Sequence, residues 1–70
     1  MINYGSPREL AEAIRREVEL LESLRGLDKR LDAFIKRRVG LLKACLARVE
    51  GAPHGVYQLV AVDSCELVPV

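Results

Sequence analysis

Seventy residues with a formal net charge of +1 make one small domain, and a chain this short buries only about 60% of its unfolded surface, which favours a partner that covers more of it. Charge is dense, at 30% of positions, and nearly balanced, which describes an ion-paired surface rather than an obligate nucleic-acid or membrane binder. Half of the residues are hydrophobic, yet only Tyr4, Phe34 and Tyr57 are aromatic, so an aromatic core is excluded and Leu, Val, Ile and Ala must build it.

The first signal along the chain is Ser6-Pro7-Arg8-Glu9. Ser6 is placed to cap the free N–H groups of a first helical turn, Pro7 suits the first helical position, and Glu9 falls where a capping box needs it. A helix over 7–25 follows, its apolar stripe being Leu10, Ile14, Val18, Leu21 and Leu24. A second helix over 28–50 repeats the pattern with Leu31, Ile35, Val39, Leu42, Cys45, Leu46 and Val49, and the run Gly51-Ala52-Pro53-His54-Gly55 stops it. Between the two, Gly26 suits the left-handed residue just past a helix end and Asp28 the next cap, so the chain is expected to fold back as a hairpin. One unbroken helix of coiled-coil type is the rival, because an internal glycine costs only about 1 kcal/mol.

After the linker 51–55, the β-branched and aromatic run 56–62 predicts a strand, and 66–70 a short edge strand in which Pro69 is tolerated. The fold class expected is α+β: an antiparallel helical hairpin followed by a strand or two-stranded ribbon. A ribbon is not stable alone. Simple alternation puts Val56, Val60 and Val62 on one face and Tyr57, Leu59 and Ala61 on the other, and a helix pair covers only one of them. The five residues Val56, Tyr57, Leu59, Val60 and Val62 are therefore the candidate oligomer interface.

Two charges interrupt the apolar stripes. Glu17 lies among Leu10, Ile14 and Leu21, and Arg38 among Leu31, Ile35 and Leu42. In antiparallel helices turning at residues 26 and 27 they face each other, within one chain or across a dimer, and the pair reads as a registry device. On the outer side of the second helix, Lys29, Lys36 and Lys43 form one row and Arg30, Arg37 and Arg48 another, a basic face able to follow a phosphate backbone.

Cys45 and Cys65 lie twenty residues apart with a single histidine, His54, so the ligand spacings of a zinc site are missing. Two small core thiols in a reducing compartment is the simpler reading, and a disulfide from the second helix to the C-terminal strand is the alternative. Eight arginines against three lysines give a thermophile-like composition. Without a signal-peptide pattern or an apolar run of about 18 residues, the expected location is the cytoplasm.

The segment 27–43 resembles the first helix of the helical chorismate mutases at Leu27, Asp28, Leu31, Ile35 and Arg38. It departs from that family at Asp32, and a ribbon follows where the family has further helices. The resemblance is one of amphipathic periodicity, and no site residue is carried over from it.

Catalytic constellations are thin, since Ser64 lacks a nucleophile-elbow setting and the glycines of 51–55 do not match a phosphate loop. The function expected is that of a small non-enzymatic interaction or assembly protein, a homodimer or a subunit of a larger complex, with no cofactor, metal, membrane or small-molecule substrate. The alternative is a small nucleic-acid-binding protein that uses the basic face.

Overall fold

A computed structural model describes residues 3–70. The element order is β1 (Tyr4–Gly5), α1 (Pro7–Ser23), α2 (Lys29–Glu50), β2 (Tyr57–Ala61) and β3 (Glu66–Pro69). Two helices and a three-stranded antiparallel sheet of order β1-β2-β3 make an α+β fold. The long axis measures 40 Å against 18 and 16 Å across.

Helix α1 begins at a reciprocal capping box. The Glu9 N–H donates to Ser6 Oγ at 3.2 Å, and the Ser6 N–H donates to Glu9 Oε1 at 3.0 Å. The backbone N–H of Ser6, and after it the Ser6 hydroxyl, hold the Glu9 carboxyl below its ordinary pKa. A lowered folded-state pKa means that this contribution is present above the ordinary carboxylate range and lost as pH falls through the lowered value. Protection factors of the amides in the first turn of α1, which correct for the intrinsic pH dependence of exchange, should therefore fall at low pH in the native chain, and Glu9→Gln should abolish that dependence. Gly5 precedes the cap at φ +149°, and a Cβ there would lie 3.2 Å from Glu9 Oε1, so the box needs glycine at this point.

The helices are separate. Helix α1 ends at Ser23, Gly26 takes φ +93°, and its N–H donates to Asp32 Oδ1 at 2.8 Å. Asp28 then caps α2 by accepting the Arg30 N–H at 2.6 Å. The two helices run alongside each other, tied across their exposed side by Arg15–Glu50 at 2.6 Å and Lys43–Glu22 at 3.6 Å.

The main core gathers Leu10, Ala11 and Ile14 from the first half of α1, Leu42, Cys45 and Val49 from the second half of α2, and Leu59 and Cys65 from the sheet region. The sheet thus covers one end of the helix pair. Cys45 and Cys65 are joined by a disulfide, with Cα atoms 5.2 Å apart. This corrects the reading of two free core thiols. Spacing alone does not decide a pairing that requires this Cα approach, and the approach is made by the turn 62–65, where the Cys65 N–H donates to the Val62 carbonyl at 3.2 Å.

The sheet also differs from a two-stranded ribbon. Tyr4 and Gly5 add a third strand, with Tyr4 opposite Gln58 and Gly5 opposite Tyr57, and the Leu59 N–H donates to the Asn3 carbonyl at 2.6 Å. Two residues carry no periodicity from which a strand can be read. No helix among the described residues is long and apolar enough to cross a membrane.

Candidate interaction surfaces

The register places Tyr4, Gln58 and Val68 in one row across the sheet, and all three point away from the helices. Val56 is 51% exposed, Val60 56%, Tyr4 64% and Val68 39%. Together with Val70 they form an apolar outer face, interrupted by Gln58 and, among the described residues, backed by no other element.

Three of the five residues assigned to an interface from alternation belong elsewhere. Leu59 is buried in the core, and Tyr57 is half-buried against that core while its hydroxyl donates to the Pro53 carbonyl at 2.9 Å. Val62 also packs against the core. A register irregularity between Leu59 and Ala61 inserts a residue and turns Val62 inward, against simple alternation. Val56 and Val60 stay outside, and Tyr4, Val68 and Val70 join them. Tyr4 was hidden from the sequence because the strand it sits on is only two residues long.

The edges are less inviting than the face. The Val70 N–H donates to the Val56 carbonyl at 3.0 Å, so by the alternation of an antiparallel ladder the backbone groups of Leu67 and Pro69 point outward. Pro69 has no N–H to offer. On the opposite edge β1 is two residues long.

Glu17 and Arg38 meet within one chain, with Arg38 Nη2 3.8 Å from Glu17 Oε1. Arg38 also donates from Nη1 to Asp63 Oδ1 at 3.2 Å, so one guanidinium links α1, α2 and the turn before β3. Glu17 Oε2 is shielded from solvent and has no hydrogen-bond partner among the described residues. Since the pair is partly exposed and Arg38 keeps Asp63, Glu17→Ala should cost about 1 kcal/mol, and Glu17→Leu less, because it adds apolar contact and removes the unpartnered oxygen. A double-mutant cycle with Arg38→Leu in urea checks this: an additive cycle would mean that the two charges do not interact.

The basic face is narrower than its sequence. Lys43 is engaged by Glu22, and Arg48 donates to the carbonyls of Ser64 at 3.1 Å and Cys65 at 3.5 Å. Arg48 is thereby a clamp on the turn rather than a free cation. Lys29, Arg30, Lys36 and Arg37 are exposed, and among the described residues none of the four has an ion-pair partner. His54 is exposed in the linker, and no group of three metal-ligating side chains occurs among the described residues.

At the far end of the helix pair, Leu20 is 63%, Leu27 72% and Phe34 58% exposed, and Leu24 is exposed beside them. Sequence periodicity assigns Leu24 to the core stripe and leaves Leu20 and Phe34 beside it, because the pattern does not record where along the helices the covering sheet stops.

No protein-family model, curated protein or solved structure matches the chain.

Proposed function

We propose that this chain is a non-enzymatic assembly module of the cytoplasm, an antiparallel helical hairpin with a small sheet, and that it works as a homo-oligomer or as a subunit of a larger complex. The observation that carries the reading is the outer sheet face of Tyr4, Val56, Val60, Val68 and Val70. Monomers rarely expose contiguous apolar patches above a few hundred Å² without a use for them. Pro69 and the short β1 discourage edge-to-edge growth, so the contact is made through the face. The disulfide is compatible with the intracellular proteins of thermophiles, as is the arginine-rich composition.

Light scattering tests the reading. The native chain should give a mass of at least twice its own 7.8 kDa, unchanged by duplex DNA or RNA, and Val60→Lys should lower it. A stable monomer that tolerates Val60→Lys without change would sink the homo-oligomer form of the reading.

A second reading, nucleic-acid binding, is favoured by the four exposed cations without partners. If it holds, Lys36→Gln with Arg37→Gln should flatten the dependence of log K on log salt by about two units. Lys43 and Arg48 should matter less, being engaged within the chain.

A further inference from the structure

The helical stripe Phe34, Arg38, Leu41, Cys45, Arg48 advances by four, three, four and three residues, so it occupies one side of α2. Three of its members reach the β2–β3 connection: Arg38 meets Asp63, Cys45 is bonded to Cys65, and Arg48 holds the carbonyls of Ser64 and Cys65. This is the sheet side of the helix. Phe34 lies one turn further toward the N-terminus of α2, past Asp63, and it is 58% exposed. On α1 the same boundary falls at Glu17, which faces Arg38, and Leu20 and Leu24 continue that stripe toward the turn. The ion-paired group of Glu17, Arg38 and Asp63 therefore marks where the sheet ends. Beyond it the helix pair presents an apolar ledge of Leu20, Leu24, Leu27 and Phe34, on the same side as the sheet but one layer lower.

Resting on the assembly reading, we infer that the partner is a second copy of this chain and that the contact is reciprocal. The outer sheet face of each protomer seats on the ledge of the other.

Layer geometry favours this occupant. A protomer with helices along its full length and a sheet over one half is a step. A two-fold axis at the riser inverts the second copy, so that its sheet drops onto the first copy's ledge while its own ledge covers the first copy's sheet. Two helical layers then enclose both sheets. The fractional exposures of their residues correspond to on the order of 450 Å² of residue surface for the ledge and for the outer face, each short of the roughly 800 Å² per partner that a standard interface buries, while the two together reach it. A sheet-to-sheet dimer uses one patch and strands the other. With a net charge of +1, self-association meets little overall repulsion.

Sedimentation equilibrium of the full chain at micromolar concentrations tests the arrangement. Val60→Glu and Leu20→Arg should each weaken dimerisation roughly 100-fold. Both positions are exposed, and an unchanged helical circular dichroism signal verifies folding. The chain carrying both substitutions should recover most of the dimer, because each new glutamate meets the partner's new arginine. Val60→Glu mixed with Val60→Arg should stay monomeric. Recovery in that mixture, without recovery in the double variant, would show sheet-to-sheet pairing and overturn this inference while leaving the assembly reading intact. A native chain that is monomeric throughout overturns this inference and, with it, the homo-oligomer form of the assembly reading.

Discussion

Reduction of the disulfide, or Cys45→Ser with Cys65→Ser, is expected to cost about 3 kcal/mol. The bond closes a loop with a sequence separation of 20, and the chain-entropy cost of leaving such a loop open in the unfolded state is of that size. The effect weighs heavily in a domain with so thin a core. At about 4–8 °C per kcal/mol for a chain of this length, the melting temperature should fall by roughly 15 °C. Thermal unfolding with and without a thiol reductant is the measurement, and a shift of only a few degrees would mean that the turn 62–65 is held by Arg48 and the sheet alone.

The second large effect is expected at Leu59. Among the described strand residues it alone is buried, at 4% exposure, and it inserts from the central strand between the two helices. Leu59→Ala removes this contact and leaves a cavity that the facing Leu10, Ile14 and Leu42 fill only in part, at about 3 kcal/mol. Helix and sheet signals should be lost in one transition in urea, with a lower midpoint, because the helix pair has no complete core of its own. A cost below about 1 kcal/mol, or helices that outlast the sheet, would show that the sheet is an appendage rather than a part of the core.

Local grammar was legible wherever a short motif fixes a backbone state. The Ser6 box, the Pro7 start, the Gly26 break and the Asp28 cap each rest on a few neighbouring residues, and the structure has them all. What depends on distant pairing was not legible. Strand β1 exists only because residues 57–59 are present to receive it, and the Cys45–Cys65 bond exists only because a turn brings two Cα atoms together. The outer face was half legible: Val56 and Val60 follow from alternation, but one extra residue in the strand sends Val62 the other way. The ledge illustrates the same limit, since an amphipathic stripe reads identically whether or not a second layer lies on it.

Strand β1 also sets an order in time. Its partner residues follow it by more than fifty positions in the chain, and closing a loop that long before other contacts exist is entropically costly. The helices, whose contacts are nearer in sequence, can assemble first. During synthesis Tyr4 and Gly5 emerge long before β2 does, and they must wait unpaired until more than fifty further residues have been made. The first strand to be synthesised is thus the last to be placed, and in the finished molecule it should be the first to let go, its amides exchanging well before those of the core.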